Sequence, residues 1–151
     1  MVLVKPDALQ RGLLGEIIHR FERKGLKLIS IKMMRFTDEI LDEWYSHHKD
    51  KAFFKDLKEF MKSSPVVAML WEGIDAIQVV RRLVGVTLGR EAEMGSIRGD
   101  FSISGQLNLI HASDSPETAK KERLLIFTDK EIIDWQSAEE CLFYSREELE
   151  D

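Results

Sequence analysis

Val66-Val67-Ala68-Met69-Leu70-Trp71 is the longest uninterrupted apolar run in the chain. It is far too short for a membrane span, which needs roughly 20 such residues. Odd and even positions are equally apolar, so both faces of a strand built from it must be covered, and this places it at the centre of a sheet. Working outward towards the C-terminus, Ile77, Val80, Leu83 and Val84 recur at helical spacing up to Gly85. Towards the N-terminus, Phe53, Phe54, Leu57, Phe60 and Met61 predict a short helix. Ahead of it Thr37, followed by Asp38 and Glu39, opens another whose buried stripe is Ile40, Leu41, Trp44 and Tyr45. Leu26 to Met34 alternates as a strand with Ile29, Ile31 and Met33 on one face. Leu13, Leu14, Ile17, Ile18 and Phe21 mark a helix closed by Gly25. Met1 to Val4 reads as a first strand, ended by Lys5-Pro6-Asp7.

From Gly85 to about Asp100 neither period fits. Four of the nine glycines fall in that stretch, with Arg90 and Arg98. Loops of this length in a compact domain are usually functional or disordered. Leu107 to Ala112 resumes as a strand, and Ser115-Pro116 caps a helix running to about Ile126. Thr128 and Glu131 form a capping box, with Phe127 and Ile132 at the staple positions. Strands alternating with amphipathic helices predict a mixed α/β chain. With no repeat or linker, residues 1–151 read as a single domain.

The 151 residues carry 22 basic and 27 acidic side chains, a net charge of −5. A general nucleic-acid or anionic-membrane binder would normally show the opposite sign, so any polyanion must be held by a local basic cluster. The opening residues show no charged leader followed by an apolar stretch, so nothing routes the chain to export. One cysteine, Cys141, cannot form an internal disulfide and suits a reducing cytoplasm.

The stretch richest in chemistry is Asn108-Leu109-Ile110-His111-Ala112-Ser113-Asp114-Ser115-Pro116-Glu117. A histidine at a strand end, just before a capped helix, is well placed to act on a phosphate as nucleophile or general base. The alternative is a histidine hydrogen-bonded within a strand-to-helix turn. Glu122 shares the inward register of Thr118, Ala119 and Ile126, and an acid there needs a partner. His111 is the nearest one. A carboxylate on one ring nitrogen fixes the tautomer and frees the other; the alternative is an exposed Glu122 flanking the apolar stripe.

Lys5 ends the first strand, Arg81 precedes the long loop, Arg98 follows it, and Thr87 adds a hydroxyl. Two arginines and a lysine are what a transferring phosphoryl group requires, although each taken singly reads as a solvated charge. Arg82 and Arg90 are left to the surface, as are His19 and His47. Phe53 and Phe54 follow a lysine-rich turn, where one could stack on a base while the other packs inside. Tyr45 and His48, three residues apart, share one helix face. No P-loop, dinucleotide fingerprint or Cys/His cluster with metal-ligand spacing is present.

These residues together resemble the nucleoside diphosphate kinase family, from Val4-Lys5-Pro6-Asp7-Ala8-Leu9-Gln10-Arg11-Gly12 to about Tyr144. The resemblance is most specific at Asn108–Ser115, at Ile97-Arg98-Gly99-Asp100-Phe101, and at Ser64-Pro65-Val66-Val67-Ala68-Met69. It implies a ferredoxin-like βαββαβ fold with a four-stranded antiparallel sheet. It further implies ping-pong phosphoryl exchange between nucleoside tri- and diphosphates. His111 would attack the γ-phosphate through Nδ1, with Glu122 on the other ring nitrogen assisted by Ser113. Arg81, Thr87 and Arg98 would bind phosphates with Tyr45 and His48 close by, and Lys5 and Asn108 would contact the ribose and the phosphate path. Phe53 would stack on the base beside Leu57. Mg²⁺ would ride on the nucleotide phosphates.

The chain departs from the family pattern at Ala52, Leu88-Gly89, Met94 and Gln106-Leu107, none of which is a catalytic or nucleotide-contacting position. The tail reaching Leu142-Phe143-Tyr144 resembles members that form hexamers, so a homo-oligomer is expected. A catalytically silent nucleotide-binding scaffold is the second reading. A single-stranded nucleic-acid binder on the same kind of sheet is the third, disfavoured by the acidic balance.

Overall fold

The structure is a computed structural model and describes residues 1–138 and 140–150, without the side chains of His47, Glu140, Cys141, Leu149 and Glu150. The surface assignment of His47 and the state of the Cys141 thiol therefore lie outside the described residues.

In chain order the elements begin β1 (Val2–Val4), α1 (Pro6–Gln10), α2 (Leu14–Arg23), β2 (Lys27–Met34), α3 (Asp38–Trp44), α4 (Phe54–Lys62) and β3 (Val66–Glu72). They continue with α5 (Ala76–Val84), α6 (Ile97–Phe101), β4 (Ile110–Ala112), α7 (Pro116–Ile126), α8 (Glu140–Phe143) and α9 (Arg146–Glu150). The strands form one four-stranded sheet in the order β2-β3-β1-β4, every neighbouring pair antiparallel. This is the ferredoxin-like βαββαβ arrangement, with α3 and α4 inserted between β2 and β3. The apolar run from Val66 lies in the interior of the sheet, as its two-sided hydrophobicity requires.

Alternation along the strands divides the core in two. Val2, Val4, Val67, Met69 and Trp71 point to one face, where Ile17 and Phe21 of α2 and Val80 and Val84 of α5 cover them. Leu3, Val66, Ala68 and Leu70 point to the other, under Leu41 and Trp44 of α3, Met61 of α4 and Ile126 of α7. Thr37 caps α3 by accepting the Ile40 N–H, and Ser115 caps α7 by accepting the Thr118 N–H.

β1 ends where expected, with one addition, and three other expectations need correction. Lys5-Pro6-Asp7 does not merely end β1: Pro6 opens α1, whose backbone lacks the proline N–H that the first helical position leaves unused anyway. The irregular stretch after Gly85 contains α6, capped by Ser96. The fourth strand starts at Ile110 and not at Leu107, because Leu109 takes φ 71° and breaks the extended chain. Finally, a bulge between Leu28 and Ser30 puts Ile29 with the second cluster, whereas Ile31 and Met33 pair with Met69 and Val67. Ile31 and Met33 are consequently exposed on the edge strand, at 49% and 62%.

Candidate active site

Register sets the central residue. His111 pairs with Leu3 across β1 and β4, so its ring lies on the Leu3 face, beneath α3 and α7, while Ile110 and Ala112 turn to the other. Its side chain is 25% exposed. On α7, Glu122 follows Thr118 by one turn and reaches back to the strand. His111 Nε2 lies 2.7 Å from Glu122 Oε1, and the Ser113 hydroxyl donates to Glu122 Oε2 at 2.5 Å. Glu122 is only 8% exposed, so its carboxylate is a buried charge with both oxygens engaged. An ionised carboxylate accepts, so Nε2 carries the proton and Nδ1 keeps its lone pair for the cleft that the residue lines. Trp44 stands edge-on to the imidazole, 5.4 Å between ring centroids, and limits its rotation.

The cleft has a volume of about 710 Å³ and is bounded by α3, α4, the end of α5, the long loop, β4 and α7. Eleven of the twelve candidate residues line it: Lys5, Tyr45, His48, Phe53, Leu57, Arg81, Thr87, Arg98, Asn108, His111 and Glu122. Ser113 is the exception, placed behind Glu122 as its hydrogen-bond donor. Arg82 and Arg90 are exposed and line no part of it. A second depression of about 750 Å³, near Trp135 and Phe143, contains none of the candidates.

Arg98 is buried and donates to three backbone carbonyls: Nε to Asn108 at 3.1 Å, Nη1 to Gly85 at 2.8 Å and Nη2 to Ile110 at 2.5 Å. It thus ties the end of α5 to the start of β4. Gly85 itself has φ 84°, and a Cβ there would lie 2.5 Å from Ser96 Oγ, so glycine is required where the chain turns. Burial, and then Arg81, lower the Arg98 guanidinium to about 10, with Asp7 opposing. It remains a cation at neutral pH.

Lys5 Nζ donates to Asn108 Oδ1 at 2.6 Å, and the Asn108 amide donates in turn to the carbonyls of Gly105 and Thr87. Burial, reinforced by Arg98 and opposed by Asp7, lowers the Lys5 ammonium to about 8. Arg81 is exposed at the end of α5, and Thr87 follows it on the loop. Burial, and then Glu122, push the Tyr45 phenol up, so it stays protonated.

At the opposite end of the cleft Phe53 is 42% exposed, while Phe54 packs into the second cluster. The two adjacent aromatics thus divide between cleft and core. Tyr45, His48 and Phe53 form a run of aromatic contacts, 6.2 Å and then 5.4 Å between centroids.

Two residues of the site escape a reading from sequence. Trp44 falls on the buried stripe of α3, and periodicity alone does not separate a core tryptophan from one that also walls a site. Asp7 accepts the Leu109 N–H at 3.0 Å. Its signal is there to be found, since proline followed by an acid is a helix start.

The nucleoside diphosphate kinase family profile matches residues 1–132. A nucleoside diphosphate kinase from Staphylothermus marinus is 58% identical over 135 residues, covering 89% of this chain and 96% of the relative. One from Parabacteroides distasonis is 51% identical over 149 residues, covering 99% and 97%. The solved structure of a halophilic nucleoside diphosphate kinase from Halobacterium salinarum, in complex with CDP, superposes with a TM-score of 0.92 at 44% identity, covering 95% of this chain and 96% of that one. Fold, cleft and kinship agree, and the chain belongs to the nucleoside diphosphate kinase family, phosphotransferases that pass the terminal phosphate of a nucleoside triphosphate to a nucleoside diphosphate.

Proposed function

We propose that His111 carries the phosphate between the two nucleotides. The observation that supports this most is the Nε2–Glu122 contact of 2.7 Å, which leaves Nδ1 to a cleft lined by Lys5, Arg81 and Arg98. In the first half-reaction the Nδ1 lone pair attacks the γ-phosphorus. The bond to the β,γ-bridging oxygen breaks, and the diphosphate leaves with that electron pair. A P–N bond forms, and the positive charge developing on the ring is stabilised by Glu122. In the second, a terminal oxygen of the acceptor diphosphate attacks the same phosphorus, and the P–N electrons return to the ring.

Arg81, Arg98 and Lys5 lower the barrier by placing positive charge where the transferring group is most anionic. Thr87, Asn108 and Tyr45 supply hydroxyl and amide partners, with His48 beside them. Phe53 offers its exposed face to the base, with Leu57 next to it. Because every base has a π-face, stacking of this kind tolerates base identity. The substrate is the Mg²⁺–nucleotide: lysine and arginine side chains cannot ligate a metal, so the ion would be held by the nucleotide's own phosphates.

Residues 1–151 act as one domain in a reducing cytoplasm. Identical subunits assemble, with a hexamer favoured, over apolar side chains such as Ile31, Met33 and Met94, which are exposed in the single chain. Among the described residues no helix is long and apolar enough to cross a membrane.

The test is to incubate the protein with Mg²⁺ and γ-labelled ATP. Acid-labile, base-stable label should appear on the chain and discharge onto added GDP. Intact unlabelled protein with undiminished exchange would end the phosphohistidine reading. A companion expectation concerns Glu122→Gln, which keeps the shape and loses the charge opposite the ring. A charge-assisted hydrogen bond of about 1–3 kcal/mol corresponds to a roughly 5- to 150-fold slower labelling step at saturating ATP, measurable by rapid quench.

A further inference from the structure

Asp7 is not among the side chains that line the cleft, yet it touches the site from behind. One carboxylate oxygen, Oδ2, accepts the Leu109 N–H at 3.0 Å across 102 residues of sequence. Leu109 is fully buried and is one of only two non-glycine residues with positive φ among those described, at 71°. For an ordinary side chain that backbone is uncommon and persists when its surroundings hold it. The surroundings here are Asp7 on its N–H and the Lys5 N–H, which donates to the Leu109 carbonyl at 2.8 Å. Two residues later the chain presents His111. Oδ1 of Asp7 is buried with no hydrogen-bond partner among the described residues, so half of the carboxylate serves no bond and acts through its charge alone.

We propose, resting on the reading of His111 and Lys5 given above, that Asp7 is a positioning residue of the phosphoryl-transfer site. It holds the Leu109 turn that aims His111, and it is the counter-charge behind the Lys5–Arg98 pair.

The second role has a pH signature. Facing Lys5 are Asp7 from α1, Arg98 from α6 and the neutral Asn108 ahead of β4. Farther round the cleft lie Arg81 on α5, His111 on β4, Glu122 on α7 and Tyr45 after α3; His48, Asp56 and Asp114 complete the titratable lining. With burial and Arg98 already bringing Lys5 down to about 8, Asp7 is the anion opposing them. Replacing it by a neutral group lowers Lys5 further. More of Lys5 is then uncharged at a given pH above neutrality, and the anionic nucleotide is bound more weakly.

The experiment compares the unmodified protein with Asp7→Asn, Asp7→Ala and Lys5→Arg by the kinetics of phosphoenzyme formation from Mg²⁺-ATP between pH 6 and 9.5. Asp7→Asn retains an acceptor for the Leu109 N–H and guards against mere failure to fold, which circular dichroism checks. Its alkaline limb of kcat/KM should move to lower pH. The expected loss is about three- to tenfold at pH 8 and little at pH 6.5, carried by KM and not by kcat. Lys5→Arg should remove the limb near pH 8 whether Asp7 is retained or replaced, since a guanidinium keeps its proton well above the pH at which this lysine loses it. Asp7→Ala, losing the acceptor too, should also lower kcat at pH 6.5 by about tenfold.

If unmodified protein takes no label, the reading of His111 fails, independently of Asp7. If it does take label, three results each overturn the proposal. They are an Asp7→Asn limb superimposable on the unmodified one, a limb that survives Lys5→Arg, or an Asp7→Ala kcat equal to that of Asp7→Asn.

Discussion

His111→Ala is expected to abolish exchange, lowering turnover by at least about 10⁴-fold, the order found when a covalent nucleophile is removed. Three neighbours that could attack a phosphate are held otherwise. The Tyr45 phenol is held in its protonated form by burial and by Glu122. The Ser113 hydroxyl is buried and donates to Glu122, and Lys5 is engaged by Asn108. Direct transfer between two nucleotides is no escape, because the cations that would activate both line a single cleft. The fold should survive the substitution. Leu3 and Ile110 carry the packing of β4 against β1, and Glu122 keeps its Ser113 partner. Two measurements separate loss of chemistry from loss of structure. Coupled-assay exchange should fall to background, while ADP binding by calorimetry should stay within a few-fold of the unmodified protein. Exchange retained above about one per cent of the original rate would contradict the mechanism.

Much of this is legible in the sequence, and the failures have physical causes. Two-sided hydrophobicity locates β3 from the side-chain period alone. The inward register of Glu122 offers a partner for His111 but leaves an exposed carboxylate open as well, and the 2.7 Å contact decides between them. The start of β4 is misread because apolar residues continue through Leu107 and Leu109, and nothing in their chemistry announces a backbone with φ 71°. That turn is held by Asp7, 102 residues away in sequence. The bulge in β2 is similar: alternation is intact in the sequence, and the slipped register exists only against β3. α1 escapes because one helical turn is too short to show a stripe. Arg98 is half read. Its charge points to phosphate, but its three carbonyl acceptors are backbone atoms that any residues at those positions would supply.

That second function of Arg98 makes it the other site of large expected effect, with two consequences that can be measured apart. Arg98→Ala removes a side-chain donor from the carbonyls of Gly85, Asn108 and Ile110 at once, and it leaves a gap between α5 and β4. Buried acceptors left unpaired cost about 1–3 kcal/mol each, partly recovered by water, so a stability loss of about 2–4 kcal/mol is expected. For a chain of this length that lowers the melting temperature by roughly 5–15 °C. Activity should fall more than stability explains, by about 10²- to 10³-fold at a temperature where the variant is folded, because the proposed site loses one of its cations for the transferring phosphoryl group. Arg98→Lys separates the two. An ammonium keeps the charge, but it cannot span three carbonyls that lie in different directions, and burial penalises it more readily than a guanidinium. It should therefore recover part of the activity and little of the melting temperature. Full recovery of stability by lysine would mean that the guanidinium fork does not hold the loop, and the role assigned to its three hydrogen bonds would have to be abandoned.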